Sequence, residues 1–219
     1  MEKLKAFIFD LDGVITDTSE LHFQSWGRLA EEENIPFTRK DNEELRGVSR
    51  RKSLEILLKG KIVSEEKKQE MMNKKNNYYK RLIKNISEEN LLPGVKKLLE
   101  ELKERKYKIA IASASKNAIT IIKNLGIEDF IDVISDGYSV EKTKPAPDLF
   151  QYTAKKLLVN PRECVVIEDA KAGIEAALAA NMITVGIGPF ERVGKAHYRY
   201  DRIEEIRIDD IIKSRIVSI

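Results

Sequence analysis

Ala6-Phe7-Ile8-Phe9-Asp10-Leu11-Asp12-Gly13-Val14-Ile15-Thr16-Asp17 is the stretch that decides the fold. Its first four residues are apolar and rich in aromatic and branched side chains, the composition of a short buried strand. A strand with no polar face belongs inside a parallel sheet covered on both sides. The run then breaks into two carboxylates at alternate positions, followed by Gly13, a chain breaker. Open α/β sheets bind ligands at the carboxyl ends of their strands, which is where Asp10 and Asp12 fall. Aspartate is also favoured in turns, so the pair alone has a plain structural explanation. Other strand ends must decide between the two.

Downstream, strand and helix alternate. Leu92-Pro93-Gly94 opens an amphipathic helix carrying Val95, Leu98, Leu99 and Leu102. Lys108–Ala112 reads as a strand, Asn117–Leu125 as a helix stopped by Gly126, and Phe130–Ile134 as a strand. A helix over Asp148–Leu158 follows a proline-rich turn. Cys164–Ile167, Ala172–Ala180 and Ile183–Val185 then read as strand, helix and strand. This alternation predicts an α/β protein with a Rossmann-like parallel sheet. Residues between about 17 and 87 break the pattern. Ser19–Glu33 is a helix with Thr18 or Ser19 as N-cap, and Asp41–Lys84 is helix after helix, interrupted at Gly47-Val48-Ser49 and Gly60. We read 17–87 as an α-helical domain inserted after the first strand, with 1–16 and 88–219 forming the core domain. The tail beyond Gly188 yields no assignment.

The polar residues now converge. Strand ends carry Asp10 and Asp12, then Ser113-Ala114-Ser115-Lys116-Asn117, then Lys144 beyond a turn, then Glu168-Asp169. In a parallel sheet these ends share one edge, so carboxylates, a hydroxyl and a lysine would meet in one pocket. The group Asp10, Asp12, Glu168 and Asp169 offers hard oxygen ligands suited to Mg²⁺. Asp10 could accept a phosphoryl group as nucleophile, with Lys144 and Ser113 meeting the developing charge. Asp12, two residues on, could serve as general acid or base.

Composition sets the remaining bounds. The 219 residues are 42% hydrophobic and 34% charged, as in a folded soluble protein. No apolar run approaches the roughly 20 residues of a membrane span. The first strand begins almost at Met1, which predicts that no signal peptide precedes it. Cys164 is the only cysteine, so no disulfide forms within the chain, and these features together predict a cytoplasmic protein. Net charge is +3, yet residues 38–84 hold 15 Lys or Arg against 7 Asp or Glu. A basic segment beside an acidic remainder suits an anionic ligand held between the two. Without aromatic interleaving or a recognisable motif, nucleic acid is not the expected partner.

The motifs Phe9-Asp10-Leu11-Asp12-Gly13, Ser113, Lys144 and Glu168-Asp169 resemble the haloacid dehalogenase superfamily over essentially the whole chain. The resemblance implies that Asp10 is the nucleophile, Asp12 the acid/base and the helical insertion a cap that closes over substrate. A closer resemblance, to hexose-phosphate mutases of that superfamily, runs through Asp12–Thr18, Glu20, His22, Trp26, Leu45–Arg50, Lys75-Asn76, Ala112–Asn117 and Lys144–Asp148. It implies a Mg²⁺-dependent phosphotransferase that interconverts β-glucose 1-phosphate and glucose 6-phosphate; a hinged cap needs no partner, so a monomer is expected, and a dimer would not contradict the reading. By the same resemblance Arg50 grips a distal phosphate. Gly47, Val48, Ser49 and Lys75 contact the sugar or its closing surface, and Ser115, Lys116 and Asn117 hold the non-transferring phosphate. Thr18 and His22 poise Asp12. Plainer readings stand beside these: Trp26 and His22 fit a helix packing stripe, and helix register decides which of Arg50, Arg51 and Lys52 faces the pocket. Arg46 stands where the family pattern has lysine. The alternatives kept open are a sugar-phosphate phosphatase with the same nucleophile and, more remotely, a non-catalytic phosphosugar-binding module.

Overall fold

The computed structural model describes residues 3–217. Six parallel strands form one sheet in the order β3-β2-β1-β4-β5-β6: β1 (Ala6–Phe9), β2 (Lys108–Ala112), β3 (Val133–Ser135), β4 (Cys164–Glu168), β5 (Ile183–Ile187) and β6 (Tyr198–Tyr200). β1 lies at the centre, with Phe9 in register with Ile111 of β2 and with Ile167 of β4. Chain order reverses between β1 and β4, and a crevice opens at such a switch point beyond the strand ends.

Alternation along β1 divides the core between the two faces of the sheet. Phe7 and Phe9 share one apolar cluster with Leu98, Leu99, Leu102 and Ile122, from helices α5 (Val95–Glu104) and α6 (Ala118–Leu125). Ala6 and Ile8 face the other way, onto Leu149, Phe150, Ala176 and Ala177 from α7 (Asp148–Lys156) and α8 (Lys171–Ala179).

Helices α1 (Ser19–Glu32), α2 (Arg39–Glu43), α3 (Arg50–Leu58) and α4 (Glu65–Leu82) lie between β1 and α5. They build a third apolar cluster of their own, which includes Trp26, Leu29, Leu54, Leu57 and Met71. The chain enters and leaves this helical unit side by side: Thr16 bridges Leu91 in antiparallel fashion, Leu92 N–H donates to Ile15 O at 2.9 Å, and the Thr16 hydroxyl donates to Asn90 O at 2.7 Å.

Two segments differ from the sequence expectation. Phe130 falls in a 3-10 turn over Glu128–Phe130, and β3 starts only at Val133. Asp132 accounts for the delay, because its backbone N–H donates to Ile109 O at 2.8 Å while its carboxylate accepts from Ile109 N–H at 2.7 Å. The tail beyond Gly188 adds α9 (Phe190–Val193), β6 and α10 (Ile208–Val217). None of the helices among the described residues is long and apolar enough to cross a membrane.

Candidate active site

Asp10 continues β1 by one residue, its N–H donating to Ile167 O at 2.9 Å. That hydrogen bond sets it beside the end of β4, where Glu168 and Asp169 follow. Each of the three carboxylates offers an oxygen within 4.8 Å of the other two, and all three residues are buried. Lys144 arrives from the loop before α7. Its Nζ lies 2.5 Å from both Asp10 Oδ1 and Glu168 Oε1. Burial works against the lysine charge, but the two carboxylates outweigh it and hold the ammonium above its ordinary value.

The carboxylates feel the same burial with less compensation. Loss of solvent pushes Glu168 up to about 7, against the pull of Lys144. Burial and the charges of Glu168 and Asp10 push Asp169 well above the usual range. Two arginines face it, Arg46 at 3.1 Å and Arg192 at 3.6 Å. Repulsion among buried oxygens is relieved by a hard cation, and the backbone leaves room for the carboxylates to hold one. Gly13, at φ +89°, and Gly173 run so close to Asp169 and Glu168 respectively that a Cβ at either position would overlap the carboxylate. An all-oxygen donor set of this kind fits Mg²⁺.

Asp12 stands apart from this group: its carboxylate is not among the three clustered ones and accepts a short hydrogen bond from the Thr18 hydroxyl. Burial, with the charge of Asp10, pushes it up to about 6. Thr18 occupies the N-cap position of α1 but makes no cap with its side chain, which is committed to Asp12. Asp12 therefore lines the cleft outside the carboxylate cluster, where the sequence reading had included it among the metal ligands.

The cleft of about 780 Å³, counted to its open mouth, runs from Asp10 and Asp12 up to the helical unit, whose wall includes His22, Trp26, Arg46, Gly47, Val48 and Arg50. Helix register is settled at α3: Arg50 lines the cleft, whereas Arg51 pairs with Glu55 and Glu65 on the surface and Lys52 with Glu55. Burial lowers the Arg50 guanidinium, opposed in part by the Tyr138 and Tyr79 hydroxyls. Lys75 is 2% exposed. Its Nζ lies 2.9 Å from His22 Nδ1, 4.5 Å from the Tyr79 ring centroid and 5.0 Å from that of Trp26. Burial, reinforced by Arg50, holds Lys75 well below its ordinary value; burial, then the Lys75 charge, does the same to His22. Ser49 does not reach the cleft wall, because its side chain accepts from Lys52 N–H as the N-cap of α3.

On the sheet side, Ser113 is buried and its Oγ accepts from Ser115 N–H at 3.0 Å. Ser115 Oγ accepts from Asn117 N–H at 3.2 Å. Ser113, Ser115, Lys116 and Asn117 all line the cleft. Asn117 sits at the N-cap position of α6 without capping it; its Nδ2 donates instead to Asn76 Oδ1 at 3.0 Å, across to the helical unit. Arg46 makes a second crossing, to Asp169. Gly47 makes a third, at φ +71°, where a Cβ would come within 2.8 Å of Ala170 Cβ. Sequence reading assigned no contact to Arg46 and nothing to Arg192. Arg46 had a signal, a basic residue beside the Gly47 turn. Arg192 had none, since only the folded tail brings it to Asp169.

Fold and site together define a capped α/β enzyme with an acidic centre at the end of its first strand. The chain belongs to the haloacid dehalogenase-like hydrolase family, whose model matches residues 7–187. It is 47% identical over 190 residues to the β-phosphoglucomutase of Bacillus subtilis, covering 84% of each chain. A crystal structure of β-phosphoglucomutase from Clostridium difficile superposes with a TM-score of 0.94 at 43% identity, over 98% of this chain and 99% of that one. A phosphorylated carbohydrates phosphatase of Thermotoga maritima is 31% identical, over 95% of this chain and 97% of its own.

Proposed function

We propose that the protein is a β-phosphoglucomutase, interconverting β-D-glucose 1-phosphate and glucose 6-phosphate through a phosphorylated Asp10 and a 1,6-bisphosphate. The observation that carries this reading is a pair of cations in the cleft, Arg50 from the helical unit and Lys116 from the sheet side, neither of them paired with a carboxylate among the described residues. A substrate phosphorylated at both ends needs a grip for the phosphate that is not moving, and these two provide it. The similarity to β-phosphoglucomutases supports the same reading.

Asp10 carries the phosphoryl group. In the forward direction the O6 hydroxyl of β-glucose 1-phosphate attacks it; the Asp10 O–P bond breaks, the O6–P bond forms, and Asp12 takes the hydroxyl proton. The bisphosphate then turns over. Its other phosphoryl group passes from O1 to Asp10, and Asp12 returns the proton to O1. An acid/base with a pKa of about 6 serves both halves near neutral pH. Lys144 screens Asp10 from Glu168 and keeps its oxygen directed at the cleft. Mg²⁺, held by Asp10, Glu168 and Asp169, would supply positive charge to the phosphoryl group in transfer. The helical unit, residues 17–87, acts as a cap: packed on the core through Arg46, Gly47 and Asn76, it keeps water from the aspartyl-phosphate. Nothing in this scheme requires a second chain, a nucleic acid or a membrane, and a monomer acting in the cytoplasm suits it.

Phosphatase activity is the second reading, favoured by the relative in Thermotoga maritima. One assay separates them: β-glucose 1-phosphate, Mg²⁺ and a trace of the 1,6-bisphosphate. The mutase yields glucose 6-phosphate without matching inorganic phosphate; stoichiometric phosphate release would overturn it. Asp10→Asn is expected to abolish turnover, and a variant that kept it would rule out the covalent route.

A further inference from the structure

Tyr138 is a large aromatic side chain left 72% exposed, on the loop after β3, where it fills no core. The loop nevertheless holds it in a defined place. Asp136 Oδ1 accepts from Tyr138 N–H at 2.9 Å, and Asp136 N–H donates to Ser139 Oγ at 2.9 Å. Gly137 N–H donates to Ser115 O at 3.2 Å, which ties this loop to the one bearing the phosphate grip. The approach is so close that a Cβ on Gly137 would lie 2.6 Å from Ala114 O and 2.9 Å from Lys116 Cγ. Pinned in this way, the Tyr138 ring lies under the Lys116 ammonium, with Nζ 4.5 Å from the ring centroid. Arg50, on the opposite wall, is also within electrostatic reach of the Tyr138 hydroxyl.

We propose that Tyr138 is a positioning residue: its ring holds Lys116 at the rim of the cleft, set to receive the phosphate group that is not being transferred. The proposal rests on the reading of Lys116 as a phosphate grip. A free lysine must give up much of its rotamer freedom to bind an anion, and a side chain already held in place gives up less. A cation over an exposed aromatic face gains about 0.5–1 kcal/mol, equivalent to about a two- to fivefold change in affinity.

The test compares wild type, Tyr138→Ala, Tyr138→Phe, Lys116→Ala and the Tyr138→Ala/Lys116→Ala double variant, using KM and kcat on β-glucose 1-phosphate and the affinity for inorganic phosphate by calorimetry. Tyr138→Ala is expected to raise KM and weaken phosphate binding about two- to fivefold with kcat and melting temperature nearly unchanged. Tyr138→Phe should match wild type, and the double variant should be no weaker than Lys116→Ala alone. If Lys116→Ala weakens binding but Tyr138→Ala does not, or if the Tyr138→Ala effect persists in the Lys116→Ala background, the proposal fails and the mutase reading stands. If Lys116→Ala itself changes neither KM nor phosphate affinity, the grip assignment falls and the proposal falls with it.

Discussion

Asp12 holds its place at a cost in stability. Burial, with the charge of Asp10, raises its folded-state pKa from 3.8 to about 6, so the native state prefers the protonated form more than the unfolded chain does. Such a group contributes stability below the unfolded value, and that contribution is lost as pH rises from about 4 through about 6. Asp12→Asn removes the buried charge while keeping an oxygen that can accept from Thr18. In metal-free protein the variant should therefore melt higher than wild type at pH 7–8, the gap closing below pH 4, as differential scanning calorimetry across pH would show. It should also lose most of its mutase activity. A wild-type protein more stable than the variant at pH 8 would mean that Asp12 is not held in an unfavourable ionised state.

At the scale of elements, the closed arrangement depends on contacts that cross from the helical unit to the core, and Gly47 makes a close one. Its backbone is left-handed, and an added methyl would meet Ala170 at 2.8 Å, so Gly47→Ala is expected to hold the helical unit off the core. Water would then compete with the sugar for phospho-Asp10. The expected outcome is about a tenfold or greater fall in kcat/KM, together with a higher ratio of phosphate released to glucose 6-phosphate formed. The melting temperature should shift less, since Gly47 and Ala170 belong to none of the three apolar clusters. Elements are also where sequence reading was strongest and where it ran out. Four polar strand ends were legible because a parallel sheet must bring them to one edge. The offset of β3 was not, because a single aspartate side chain pairing with β2 decides it. Thr18 reads as a helix cap, yet its side chain is drawn away to Asp12, and Asn117, read as the first residue of its helix, reaches across to Asn76. Arg192 was invisible, since its approach to Asp169 depends on how the tail packs.

For the whole molecule, the balance of buried charge is the dominant electrostatic fact. Asp10, Glu168 and Asp169 crowd together, with the buried Lys144 set against Asp10 and Glu168. Binding of a divalent cation to the native state alone should stabilise it by about 2.7 kcal/mol at a hundred times the dissociation constant. Adding Mg²⁺ to protein freed of metal should therefore raise the melting temperature. Asp169→Asn should remove most of that rise, and its wild-type persistence in the variant would place the cation elsewhere.

The side-by-side entry and exit at Thr16 and Leu91 have a consequence for how such a protein diversifies. To the sheet, everything from α1 to α4 is one loop whose ends already touch, and lengthening a closed loop adds little entropy cost, about 0.6 kcal/mol per doubling. The insertion carries its own apolar cluster, so it can be recut, enlarged or exchanged while the strand ends that do the chemistry stay where they are. The strand-end carboxylates and the helical wall of the cleft thereby lie in separate stretches of the chain, free to change at different rates.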